Sequence, residues 1–220
     1  MGTITAGEIV IQCQELAQDE QGDVWSSAEG LAWINDAQRA IATARVDASV
    51  SRGSIQLAPG VKQTITGRRL IALHYNLGAD GATVGLPIRL IERGIKDESD
   101  PMWTVETANT EIYEYMYDGD NPKNFDVSPP VHATTPVHVE ATQGVNPTDC
   151  ADITSTIALE DSYAPAMIEW VMYRFFGRDS EETPNHQRAM GYFSNFFHLL
   201  GVKIKSDMMV SPHQRTHLEK

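Results

Sequence analysis

The chain has 220 residues, 41% of them apolar, enough to bury a sizeable core as one domain or two small ones. Thirty Asp and Glu against 17 Lys and Arg give a formal net charge of −13, a balance that repels phosphate backbones and argues against tight nucleic-acid binding. The most apolar stretch, 163–177, is broken by Glu169 and Arg174 and is too short to span a bilayer, so no membrane partner is expected.

Two capping boxes open the chain, Thr5 with Glu8 and Ser26 with Glu29, in which hydroxyl and carboxylate each satisfy a free backbone N–H at a helix start. The first predicted helix places Ile9, Cys13 and Leu16 on one face. The second carries Leu31, Ile34, Gln38 and Ile41 on one face and Trp33, Ala37, Ala40 and Ala44 on another. A helix with two apolar sides has two neighbours to satisfy, and an alanine stripe admits close approach, either within the subunit or from another copy.

From about Arg52 the signal changes to short strands at 54–57, 69–75, 88–92, 111–117, 125–127 and 136–141, separated by Gly, Pro, Asn and Asp. Gly78 to Gly85 reads as a hairpin loop; no Gly-Lys-Ser/Thr follows it, so a phosphate cradle is not expected. Tyr115 to Val127 reads as a hairpin, with turn residues Asp118, Gly119, Asp120, Asn121 and Pro122 and a stop at Pro129 and Pro130. The same turn departs from a calcium loop: Lys123 stands where the glycine belongs and Pro129 where the bidentate glutamate belongs. Helical patterning returns at Asp161 with Pro165 in the first turn and runs to Gly177. A last helix opens at Thr183 and Pro184, carries Ala189, Phe193, Phe196, Phe197 and Leu200 on one face, and is expected to end at Gly201.

The pattern predicts an α+β fold: a bundle of about four helices, contributed by residues 1–52 and 156–201, interrupted by an inserted antiparallel β domain at 53–155 and followed by a tail at 202–220. That tail holds four basic and two acidic residues, a net of +2 on a chain of −13, which leaves −15 for the remainder.

No catalytic set emerges. The seven histidines do not cluster at ligand spacing, no nucleophile elbow appears, Cys13 and Cys150 read as free thiols, and Glu111 and Glu114 fall on opposite faces of a strand. Arg68 with Arg69, and Arg174 with Arg178, are expected to meet carboxylates. No enzyme activity, cofactor or metal is predicted.

Six stretches in order, "LAWINDAQRAIATARVDA", "TGRRLIAL", "DPMW", "YMYDGDNPKNFDVSPPV", "YAPAMIEWVMYRFFGRD" and "NHQRAMGYFSNFFHLLG", resemble the phage adaptor proteins of the head-to-tail connector, similar to podovirus tail tubular protein A. The resemblance spans Ile9 to Gly201. It implies a structural virion protein at the neck, made in the host cytoplasm, forming a ring of about twelve copies under the portal with a central channel. Its implied partners are further copies of itself, the portal protein and the next tail or nozzle protein, with duplex DNA passing through unbound; the acidic balance agrees with a wall that must not grip phosphates. The subunit interface is expected at Ala37, Ala40, Ala44, Trp170 and Arg174, portal docking at Lys203, Lys205, Met208, Met209, Val210 and Arg215, and docking of the next tail component at Asp118, Asp120, Asn121 and Lys123. The competing reading is a β-sheet module that binds carbohydrate or a host surface through Trp103, Tyr113, Tyr115 and Tyr117.

Overall fold

The computed structural model describes residues 2–19, 21–117, 119–178 and 183–210, with 183 and 204–210 described by their backbone alone. In chain order its elements are α1 (Ala6–Ala17), α2 (Ser27–Ala44), β1 (Val50–Gln56), β2 (Gly60–Thr64), β3 (Arg69–Leu77), β4 (Val84–Pro87), β5 (Arg89–Leu90), α3 (Arg93–Ser99), β6 (Glu114–Tyr117), β7 (Asn124–Val131), β8 (His138–Gly144), α4 (Ala164–Gly177) and α5 (Thr183–Val210). The fold is α+β. Two compact units result: Met1–Ala48 with Pro147–Lys220, and Ser49–Asn146 between them in sequence.

In the helical unit both capping boxes form. Thr5 N–H donates to Glu8 Oε2 at 2.7 Å and Glu8 N–H returns to Thr5 Oγ1 at 3.2 Å; Ser26 and Glu29 repeat the exchange. The backbone N–H of Thr5 and its hydroxyl hold the Glu8 carboxyl below the usual carboxylate range. Ile9, Val10 and Cys13 are the buried face of α1, whereas Leu16 lies half exposed, so the inward stripe shifts toward Val10. Along α2 the buried face is Ile34, Ala37, Gln38 and Ile41. Gln38 belongs there because Ala158 N–H donates to its Oε1 at 2.7 Å, while neighbouring Asn35 exchanges two hydrogen bonds with the backbone of Cys150, tying the returning chain to α2.

Helix α4 follows a 3-10 turn at Asp161–Tyr163 and has Pro165 in its first turn. Its buried Met167, Val171 and Met172 meet Phe196 and Leu200 of α5 in one core with Ile9, Ile34 and Trp25. Gly201 does not end α5. The helix continues to Val210 with right-handed backbone at the glycine, and Lys203 packs over the Tyr163 ring at 4.9 Å and meets Glu160 at 3.7 Å. Lys203 is thus engaged by its own unit instead of opening a separate tail.

The β unit contains two four-stranded sheets, ordered β1-β8-β3-β4 and β2-β7-β6-β5. Their facing sides supply a core of Leu70, Leu73, Ile88, Ile112, Tyr115, Phe125, Val127 and Val139. Residues 84–90 cross from one sheet to the other: Pro87 pairs with Tyr75 of β3, and two residues later Arg89 pairs with Glu114 of β6. Buried Asn76 stitches this crossing, donating to Leu86 O at 3.0 Å and Ile112 O at 2.7 Å and accepting Ile112 N–H at 2.8 Å. The Gly78–Gly85 connection is pinned by Asp80, which accepts the N–H groups of Ala82 and Thr83; these hold its carboxyl down at about 2.

The β6–β7 hairpin forms as the sequence indicates, with Tyr115 opposite Val127 and Tyr117 opposite Phe125. The prolines do not stop it: β7 runs through Pro129 and Pro130 to Val131. Neither proline is needed as a donor, because the β6 ladder ends at Ser128 and the β2 pairing slips between Lys62 opposite Asp126 and Gly60 opposite Val131.

Candidate docking surfaces

Two surfaces carry the residues singled out above. On the helical unit, aromatic rings continue past the core into solvent. Trp170 contacts Tyr173 at 5.5 Å and Phe196 at 4.9 Å, Tyr173 contacts Phe193 at 5.0 Å, and Phe193 contacts Phe197 at 5.0 Å between ring centroids. Phe196 is 1% exposed and Phe197 49%, so the cluster runs from sealed core to open surface within one helical turn. Trp170 Nε1 is enclosed without a hydrogen-bond partner. Arg174 stacks over the Trp170 ring and pairs with Asp36 of α2, so Trp170 and Arg174 do come together. Arg178 meets Glu29 at 3.3 Å.

The alanine stripe divides. Ala37 is 0% exposed inside its own unit and has no surface to offer another copy, a correction forced by the packing of α2 on its own bundle. Ala40 is half buried against the same core, and Ala44 is exposed. Phe193 and Phe197, read from the sequence only as a packing face, belong with Trp170; the signal was their spacing, since residues four apart share a helix side.

On the β unit the turn after β6 places Asp120, Asn121 and Lys123 at the surface, with the carbonyls of Pro122 and Lys123 accepting Leu70 N–H at 2.9 Å and Ile65 N–H at 3.0 Å. Asp118 lies outside the described residues. Beside the turn is an open cleft of about 700 Å³ lined by Lys62, Glu92, Arg93, Tyr117, Asn121 and Asp126. One wall is α3, absent from the sequence reading. It lies on the outward side of β6 and β7: Arg93 binds Asp126 at 2.7 Å, and Lys96 binds Glu114 at 3.0 Å and Asp100 at 3.3 Å. Burial alone would pull Lys96 down, but these hydrogen bonds to Glu114 and Asp100 together hold it above the ordinary lysine value. Trp103 closes the attachment at 1% exposure, its Nε1–H donating to Asp97 at 2.7 Å. Leu90, Ile95, Met102 and Val105 are left more than half exposed around it.

The tyrosines do not form a platform. Tyr115 is 5% exposed and Trp103 1%, which leaves Tyr113 as the open ring of the set with Tyr117 half buried. The Arg68 guanidinium donates to the Val145 carbonyl at 3.2 Å and that of Arg69 to the Tyr117 hydroxyl at 3.1 Å. Of the portal-docking set, Lys203 packs as described, the backbone of Lys205, Met208, Met209 and Val210 is helical, and Arg215 lies outside the described residues.

Burial pushes the Cys13 thiol up to about 12, with Glu169 adding to the effect, so it stays protonated near neutrality. Among the described residues no group of three or more His, Cys, Asp or Glu is placed to hold a metal ion, and no helix is long and apolar enough to cross a membrane.

No curated protein is significantly similar to the chain. Over residues 4–216 the α+β chain matches the SU10 adaptor protein family, a phage head–tail adaptor family, and it belongs to that family as a structural component of the bacteriophage virion.

Proposed function

We propose that the chain is one subunit of a closed ring of about twelve copies at the phage neck, seated between the portal and the next tail or nozzle protein and surrounding the path of the DNA. The observation that carries this reading is family membership over residues 4–216. The charge of −13 supports it, since a ring that passes duplex DNA works best when its wall does not bind phosphates. The reading assigns Ala40, Ala44, Trp170, Arg174, Phe193 and Phe197 to contacts between subunits, the end of α5 with residues 204–220 to the portal, and Asp120, Asn121 and Lys123 with their neighbouring cleft to the next tail component. No catalytic step is assigned, and the role is purely mechanical.

Electron microscopy of the full chain mixed with purified portal particles tests the assignment: rings on the portal are expected. Ala44→Glu should leave a folded chain that no longer joins them. Truncation after Lys203 keeps the contact of Lys203 with Tyr163 and should leave the melting temperature nearly unchanged while abolishing capture by portal. Undiminished capture by the truncated chain would remove the α5 end from the portal contact.

A further inference from the structure

The outer strands of the two sheets are not alike. β2 is interrupted by a register shift and exposes Lys62, β4 meets β3 through a shift and ends at Pro87, and β5 is two residues long. These are the features that discourage another chain from adding to a sheet edge. β1 has none of them. It is seven residues long, pairs with β8 in unbroken register, and contains neither proline nor lysine. Its one charge, Arg52, is already held by Glu140 at 2.7 Å.

The direction of its backbone groups follows from the ladder. Val145 N–H donates to Ser49 O and Leu57 N–H to Val137 O, both at 2.9 Å, so the odd-numbered residues of β1 bond to β8. The N–H and C=O groups of Val50, Arg52, Ser54 and Gln56 therefore point away from the sheet, and no strand among the described residues pairs with them.

We infer that β1 is an interface between two copies of this chain, which pair antiparallel about a two-fold axis at Gly53. Only that register joins all four outward residues without setting like charges face to face: Val50 meets Gln56 of the second copy, and Arg52 meets Ser54. An axis at Arg52 would set the two arginines opposite each other, and an axis at Ser54 would leave Val50 without a partner in the strand. Arg52 of the second copy comes opposite the uncharged Ser54, so the two arginines, each held by the Glu140 of its own chain, do not face one another. At the axis the two Gly53 residues form a non-hydrogen-bonded pair with Cα atoms about 4.5 Å apart. A Cβ at Gly53 meets nothing within 4 Å, so side chains fit there.

Such a pairing joins two four-stranded sheets into one and is closed at two copies, so it is a contact of the free chain, distinct from the head-to-tail contact of a ring. It covers an edge that would otherwise invite uncontrolled strand addition. It does not depend on the ring reading.

The full chain carrying Gly53→Cys is oxidised mildly and run without reductant, beside Ser51→Cys. In the inferred register residue 51 pairs with 55 of the second copy, so its own copies lie about 13 Å apart. Disulfide-linked dimer should form at least about tenfold faster at position 53 than at 51. On the unmodified chain, hydrogen exchange at the amides of Val50, Arg52, Ser54 and Gln56 should slow by about tenfold or more from dilute to concentrated protein, while the odd-numbered amides stay protected throughout. Ser54→Pro, which removes an outward N–H and leaves the β8 ladder whole, should abolish that concentration dependence with circular dichroism unchanged. Equal cross-linking at 51 and 53, exchange independent of concentration, or protection that appears only when another virion protein is added would each overturn the two-fold pairing.

Discussion

Helix α5 lies on α4 through rings, with Trp170, Tyr173, Phe193 and Phe196 in a chain of contacts around 5 Å, whereas α3 lies on its sheet through charges, with Arg93 and Lys96 each reaching a carboxylate on the strands below. The first attachment buries apolar area and is indifferent to ionic strength. The second rests on pairs whose partners are still partly in water and is screened by salt, with one tryptophan beneath it. A subunit built this way has one attachment meant to stay closed under all conditions and one that can be loosened locally without touching either core.

The sharpest way to break the comparison is inside the ring cluster. Phe196→Ala empties a site 1% exposed where α4 and α5 meet and should cost about 3–5 kcal/mol in chemical denaturation, with little change between low and high salt. A loss below about 1 kcal/mol would mean that the rings do not hold the two helices.

Helix α3 should respond more weakly and differently. Lys96→Met removes two ion pairs and should cost about 1 kcal/mol or less, a difference that fades in molar salt. The pH dependence has a definite sign. Because the folded state holds Lys96 above its ordinary value, its contribution is complete below the unfolded pKa of about 10.4 and is lost as pH rises through the folded pKa. Titration should therefore loosen α3 as pH rises through the alkaline range, read by exchange at the amides of 93–99, and Lys96→Met should remove that alkaline dependence.

The two attachments were also unequally legible in sequence. Both capping boxes, Pro165 and the spacing of Ala189, Phe196 and Leu200 are local signals, and each places a helix. The β6–β7 hairpin was readable for the same reason, from turn residues between aromatic strands. Helix α3 has seven residues, no cap and no apolar period; its trace was the pairing of Arg93 with Asp97 and of Lys96 with Asp100, four apart, which is visible in sequence but weak. β2 was missed because Lys62, Gln63 and Thr64 do not alternate in hydrophobicity, and buried Gln63 is satisfied only by Ala58 and Gly60 of its own turn. Nor does sequence decide which alanine of a two-sided helix its own bundle consumes: Ala37 went inward and Ala44 outward.

The smallest expected effect on stability falls on the residue that most sharpens the contrast. Phe197 touches Phe193 and Phe196 at about 5 Å yet is 49% exposed, so the ring is placed by the core without completing it. Phe197→Ala should change the unfolding free energy by no more than about 0.5 kcal/mol, as surface substitutions do. A half-exposed ring at the open end of the aromatic cluster is surface that a neighbouring molecule can still cover. If the ring reading holds, Phe197→Ala should reduce assembly on portal particles several-fold at unchanged stability, and Phe197→Leu should restore most of it by returning apolar area. Assembly equal to the unmodified chain for both variants would confine the aromatic cluster to the interior of the subunit, whereas a stability loss as large as that of Phe196→Ala would show that the exposed end of the cluster is part of the core after all.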